Sequence, residues 1–429
     1  MKGARGVVRI ARGARGRSRG LFRRTTLVAF LAVLGPGLIA ASADNDAQGI
    51  TTYSIVGAKY GYELLWLALI GAMALLVTQE IGARLGMVTG KGLAALVRER
   101  FGARPAAAAM ILLLIANLGT TAAEFAGMAA ALELFHISRY IAVPVGAALV
   151  LMLIMRGTYK RIERVFLIMS LFYVAYVISG ILAHPDWSSA VHHLLVPTIH
   201  WNATFLLTAV AMVGTTVTPW GQFFIQAYVV DKALGPEDMA YERADVAIGT
   251  TMTTAVLFFI VVATAATIYA HGGVTINDAG DAAKALEPLA GRFAATLFAL
   301  GLLNASVLAA GILPLSTSYA VCEAFGFELG LDRGVREAPV FYGVFTGAIV
   351  IGAIVVLIPG VPLVPILFLS AAVNGVLLAP LLIFLYLLAN DKELMGEYRN
   401  GRVANVLTIV TIGILLSLTA VLLITLIFH

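Results

Sequence analysis

Residues 35–49 read Gly35-Pro36-Gly37-Leu38-Ile39-Ala40-Ala41-Ser42-Ala43-Asp44-Asn45-Asp46-Ala47-Gln48-Gly49. They lie inside a long apolar run and carry two carboxylates. An ionised Asp at the centre of a membrane helix costs about 2.5–3.5 kcal/mol on insertion scales. On a regular helix, residues i and i+2 point about 200° apart. Asp44 and Asp46 can therefore share one cation only if the backbone unwinds between them. Asn45, Gln48 and Gly49 favour unwinding, and an unwound segment frees carbonyl oxygens as further ligands. The plainer alternative is that one Asp caps the second half-helix.

A second interrupted run follows at Met212-Val213-Gly214-Thr215-Thr216-Val217-Thr218-Pro219-Trp220-Gly221-Gln222. Pro219 lacks an N–H and obstructs the preceding turn. The carbonyls of Thr215 to Thr218 are thus expected to be partly unpaired, with the Thr218 hydroxyl facing the first break. A simple proline kink is the competing reading. Paired interruptions at matching positions are the sequence mark of a transporter site at the membrane midplane.

Around these runs the chain is strongly apolar. Of its 429 residues, 60% are hydrophobic and only 12% charged. Soluble domains hold about 45–50% apolar and about 25% charged residues. A soluble enzyme, a disordered chain and a nucleic-acid-binding domain are excluded on that ground. The lone Cys322 allows no intrachain disulfide.

Apolar runs predict eleven spans, near 27–57 (interrupted), 63–83, 106–131, 140–156, 165–183, 203–229 (interrupted), 246–270, 292–325, 339–358, 363–389 and 404–427. Each is expected to be helical, because a helix satisfies its own backbone groups in lipid. The interrupted spans are the first and sixth. That relation suggests two inverted repeats, spans 1–5 over 27–183 and spans 6–10 over 203–389, with an eleventh span at 404–427. Residues 1–26 hold nine basic residues and no acid, and read as a cytosolic tail. With the N-terminus inside, 25 of the 29 Lys and Arg residues fall in inside segments. That asymmetry predicts a multi-pass plasma-membrane protein with its C-terminus outside. The tail's composition permits binding of anionic lipid. His184, His192, His193 and His200 fall in or near one external connection. Their spacing fits no helical ligand pair, so a solvated loop is expected there rather than a metal patch.

At its polar residues the chain resembles the natural-resistance-associated macrophage protein (NRAMP) family of divalent-metal transporters, from about residue 30 to 427. The resemblance is carried by the Gly35-Pro36 entry and by Gln79-Glu80-Ile81-Gly82-Ala83-Arg84-Leu85-Gly86-Met87-Val88-Thr89-Gly90. It is also carried by Ala123-Glu124-Phe125-Ala126-Gly127 and by the second break ending in Pro219. It implies a LeuT-like all-α fold with helices 1 and 6 broken. The family's first helix carries Asp-Pro-Gly-Asn. An ungapped match puts Asp46 on that Asp, with Ala47, Gln48 and Gly49 in place of Pro, Gly and Asn. A two-residue slip puts Asp44 there instead. The family's sixth helix carries Met-Pro-His, where this chain has Thr218-Pro219-Trp220. A third-helix Asp of the family's proton path falls at Thr121, while Glu124 is retained.

These departures resemble the NRAMP-related magnesium transporters. A thioether ligand suits manganese, iron and later transition metals. Thr218 removes that sulfur and leaves carboxylates, hydroxyls, an amide and carbonyls, a set suited to hard cations. The expected metal ligands are Asp46, Asp44, Thr218, Thr215, Gln48 and Gly49. Asn45, Asn374, Ala371, Trp220, Gln222 and Glu124 are expected around them. Ala371 is where the resemblance implies a site-lining polar side chain, and Asn374 lies nearby. Thr121 and Trp220 remove two titratable groups, which predicts Mg2+ and Mn2+ import without proton coupling, driven by membrane potential. In the competing reading Trp220 is a packing aromatic with no bearing on coupling. Glu124 reads equally as a residual proton acceptor or as a helix–helix hydrogen-bonding group. Glu80 and Arg84, one turn apart, predict a structural ion pair.

A proton-coupled Mn2+ or Fe2+ importer of the standard family type is the nearest alternative. An amino-acid carrier of the same fold is disfavoured, because two Asp at the break repel a substrate carboxylate. An ion channel lacks its expected charged rings. No permanently bound cofactor, no enzyme motif and no nucleic-acid partner is expected, and the carrier is read as a monomer.

Overall fold

The computed structural model describes residues 36–156, 173–272, 276, 279–283, 291–331 and 333–428. The basic tail, Gly35 and the start of the fifth expected span lie outside them. Among the described residues every regular element is helical.

The first apolar run is two helices, α1 (Pro36–Ala43) and α2 (Ala47–Tyr60). Next come α3 (Trp66–Thr89), α4 (Leu93–Phe101), α5 (Ala103–Glu133), α6 (Arg139–Arg156) and α7 (Val174–Leu182). A short α8 (Trp187–Leu195) precedes the second broken pair, α9 (Ala203–Thr216) and α10 (Pro219–Asp231). Then follow α11 (Met239–Thr267), α12 (Ala294–Phe325), α13 (Pro339–Leu357), α14 (Leu363–Asn390) and α15 (Arg402–Phe428).

Eight spans among the described residues are long and apolar enough to cross a membrane, with α9 and α10 counted together. The other expected spans correspond to the broken α1–α2 pair, the shorter apolar helix Arg139–Met155 and the described part of the fifth, α7. The helices α4 and α8 do not appear as apolar runs in sequence, because each is short and two-faced. Helix α8 corrects the expectation of a loop around the histidines. Asp186 caps it by accepting from the Ser189 N–H at 3.1 Å, and His192 and His193 lie in its last turn.

The broken helices occupy the middle of the bundle. Both α1 and α2 pack on α11, α10 packs on α3 and α12, and α9 packs on α14 and α2. Close helix approach replaces side-chain bulk where these elements cross. A Cβ on Gly214 of α9 would lie 2.3 Å from the Ala371 carbonyl oxygen of α14. One on Gly375 of α14 would lie 2.5 Å from the Val210 oxygen of α9. Van der Waals contact between backbones, rather than a hydrophobic drive, holds helices together in lipid. At the basic-rich end, Arg84 bonds Glu80 at 3.1 Å as its spacing predicts, and also the Tyr398 carbonyl and Asn400.

Candidate metal site

Helix α1 stops at Ala43 and α2 begins at Ala47, so Asp44, Asn45 and Asp46 form the unwound link. Asp46 is extended (φ −69°, ψ 178°), and its Oδ1 accepts from the Gly49 N–H at 2.6 Å. It therefore caps α2, as the plainer reading anticipated. Its second oxygen, Oδ2, has no hydrogen-bond partner among the described residues. One side chain thus terminates a helix and still presents a lone-pair face to the break.

Helix α9 stops at Thr216, and Val217 and Thr218 are extended before Pro219 starts α10 as its first residue. A proline at that position costs no bond, because the first N–H groups of a helix are unpaired anyway. The Thr218 hydroxyl oxygen caps α10 by accepting from the Gly221 N–H at 3.3 Å. The same hydroxyl donates to Asp44 Oδ1 at 2.9 Å. This bond joins the two breaks across 174 residues of sequence. Asp44 Oδ2 accepts from Gln79 Nε2 of α3 at 3.4 Å.

Gly49 marks where the remaining oxygens converge. A Cβ there would lie 2.9 Å from the Asp44 carbonyl oxygen, 3.2 Å from Thr215 Oγ1 and 3.3 Å from Asp46 Oδ1. Thr215 Oγ1 and both amide atoms of Gln48 have no hydrogen-bond partner among the described residues. Asp44, Asp46, Gln48 and Thr215 are 0% exposed and Thr218 is 1% exposed. Neither Asp pairs with a basic side chain among the described residues. Among those residues, no three His, Cys, Asp or Glu side chains gather to hold a metal. The two breaks bring carboxylate, hydroxyl and backbone oxygens close together.

The surrounding residues divide. Glu124 Oε2 accepts from the Ala47 N–H at 3.2 Å, and its Oε1 has no hydrogen-bond partner among the described residues. It supports the start of α2 from α5. Asn45 donates to Thr253 of α11 at 3.3 Å, and its Oδ1 has no such partner. Gln222 turns back to the Thr218 carbonyl at 3.5 Å. Asn374 pairs with Thr120, donating at 2.9 Å, and so braces α14 against α5. Ala371 contributes its carbonyl to the α9 crossing. Trp220 is fully buried, packs edge-on against Phe224, and accepts from Ser316 Oγ through its carbonyl at 2.9 Å. In sequence Gln79 stands out only as part of the Gln79–Gly90 stretch. Its bond to Asp44 requires the α3–α1 contact, which no local spacing reveals. Tyr53 is likewise brought by the fold to Thr216, at 3.1 Å.

Two helices broken at facing points around buried carboxylates define a polytopic helical membrane protein of LeuT-like fold. The natural resistance-associated macrophage protein-like family profile matches residues 37–425, and the chain belongs to that family. The divalent metal cation transporter MntH of Aeromonas hydrophila is 30% identical over 92% of this chain and 96% of its own length. MntH of Yersinia pestis is 29% identical over 96% of this chain and 99% of its own. The fold resembles that of the Eremococcus coleocola manganese transporter, with a TM-score of 0.73 and 22% identity, covering 95% of this chain and 88% of that one. It also resembles MhsT in complex with L-phenylalanine, with a TM-score of 0.59 and 13% identity, covering 91% and 97% of the two chains.

Proposed function

We propose that this chain is a secondary carrier that imports divalent cations, Mg2+ and also Mn2+, by alternating access. The observation that carries this reading is the uncompensated pair Asp44 and Asp46, fully buried between the two breaks. Two carboxylates held away from water stay ionised together only with a compensating positive charge beside them. One divalent cation supplies it. The relatives named above are transporters of divalent metal or manganese by name, which supports the cation class.

Asp44, Asp46, Thr215, Thr218, Gln48 and Gly49 are the proposed ligands, the last through its backbone. Asn45, Glu124, Gln222, Trp220, Ala371 and Asn374 shape the space around them. The donor set is oxygen and amide, with Thr218 at the position where sulfur would favour softer metals. Mg2+ sheds water reluctantly and is served by one or two carboxylates with room for retained waters. Thr121 and Trp220 leave the path without two titratable groups, which supports transport without proton coupling. The membrane potential then supplies about 4.6 kcal/mol per 100 mV for a divalent cation.

The two-repeat organisation, 27–183 and 203–389, makes the breaks the natural hinge points. A cytosolic N-terminus and an external C-terminus follow from the distribution of Lys and Arg. Cation-dependent uptake into sealed proteoliposomes tests the reading, with Mg2+ entry expected. Replacement Thr218→Met adds a thioether to the site and removes the hydroxyl bonded to Asp44. The Mn2+:Mg2+ uptake ratio is expected to rise, measured by competition in the same vesicles. An unchanged ratio removes Thr218 from the selectivity argument.

A further inference from the structure

A second pair of carboxylates lies on α11, where that helix packs against α1 near Gly37. Glu242 and Asp245 stand three residues apart on α11 and so share one face of that helix. They are 1% and 0% exposed. Asp245 Oδ2 accepts from the Gly37 N–H at 2.8 Å and thereby ties α1 to α11. The backbones meet closely there. A Cβ on Gly37 would lie 2.7 Å from Val246 N, and one on Gly249 would lie 2.7 Å from Gly37 O. Further along, Thr253 donates to the Ala41 carbonyl.

Glu242 is different from its neighbour. Neither of its carboxylate oxygens has a hydrogen-bond partner among the described residues. A buried carboxylate in that condition is costly unless something else satisfies it. Arg243, next along the chain, bonds Glu80 at 2.9 Å instead. The charged groups that act on Glu242 are Asp245, Lys232 and Asp238. A divalent cation held between Glu242 and Asp245 supplies the partner that the Glu242 oxygens lack.

We propose that Glu242 and Asp245 form a second divalent-cation site, for Mg2+ or Mn2+, beside Gly37 of α1. The inference rests on the reading of this chain as a divalent-cation carrier. Gly37 and Asp44 are seven residues apart along the chain. At 1.5 Å rise per residue that is about 10 Å. A cation that leaves the breaks along α1 meets this pair next. Binding there competes with the bond from the Gly37 N–H to Asp245. Occupancy therefore loosens α1 from α11, which couples departure of the cation to movement of the half-helix.

The test is a count of bound Mn2+ by electron paramagnetic resonance. The full chain is held in nanodiscs of zwitterionic phosphatidylcholine, with Mn2+ as the only probe. Two Mn2+ per chain are expected for the wild type. Glu242→Gln is expected to weaken one site by about tenfold or more. The double replacement Asp44→Asn, Asp46→Asn removes the other site, and the triple variant binds none. Glu242→Asp restores the second Mn2+, which separates ligation from a folding defect, and gel filtration checks each variant. A Glu242→Gln chain that binds Mn2+ as the wild type does overturns the proposal. That is the result expected if a cationic side chain of the protein satisfies Glu242. If the double variant keeps its Mn2+ while Glu242→Gln loses one, the carrier site is misassigned and the second site stands.

Discussion

Asp46→Asn is expected to abolish Mg2+ and Mn2+ uptake while the chain still folds. The replacement keeps an oxygen that accepts from the Gly49 N–H, at 2.6 Å in the wild type. Asn and Asp are comparable helix caps, so the expected stability change is within about 0.5 kcal/mol. What is lost is one of the two buried negative charges that a divalent cation balances. Asp46→Ala loses the cap as well and costs about 1 kcal/mol more. Uptake into proteoliposomes, with thermal unfolding of the same preparations, separates the two effects. Asp44→Asn removes the other charge but keeps an acceptor for Thr218 and is expected to silence transport too. If Asp44→Asn alone silences the protein, Asp44 takes the place of the family's Asp and the ungapped match fails.

Gly214→Val is expected to prevent folding. Any Cβ at this position lies 2.3 Å from both the Ala371 oxygen and the Gly375 nitrogen. Those atoms belong to backbone, so the collision cannot be relieved by turning a side chain. The α9–α14 crossing would have to open, at a cost of about 4 kcal/mol or more. That crossing also holds Thr215 in place, because α9 ends at Thr216. Gly343→Val is the matched control, since nothing lies within 4 Å of a Cβ there. The yield of monodisperse protein after extraction is expected to collapse for the first variant and to match the wild type for the second.

Both breaks were legible from sequence for a physical reason. Charged and helix-breaking residues inside apolar runs carry a local cost that only unwinding and a partner relieve. The structure places the breaks at Asp44–Asp46 and Val217–Thr218, within the stretches that composition singled out. The alternatives at Asp46 did not exclude each other. One oxygen caps α2, and the other has no hydrogen-bond partner among the described residues. The Glu80–Arg84 pair was legible because both residues sit on one helix face a turn apart.

What sequence did not show is which distant side chain satisfies which group. Gln79 reaches Asp44 over 35 residues, Glu124 reaches the start of α2 over 77, and Asp245 reaches Gly37 over 208. No periodicity encodes such pairings, because they depend on how whole helices cross. Asn374 illustrates the same limit. Its polarity marked it as a residue near the site, yet its amide is engaged by Thr120. The short helices α4 and α8 escaped for another reason. Their apolar faces are too brief to stand out beside spans of 19 to 32 residues.

Uptake into sealed proteoliposomes with a negative interior tests the central claim most directly. A magnesium-sensing dye and a pH dye are enclosed in parallel vesicles. An uncoupled carrier with an oxygen-lined site gives Mg2+ entry that grows with the imposed potential and leaves the interior pH unchanged. Mn2+ entry accompanied by acidification, with no Mg2+ signal, would contradict it and assign the chain to proton-coupled transition-metal import.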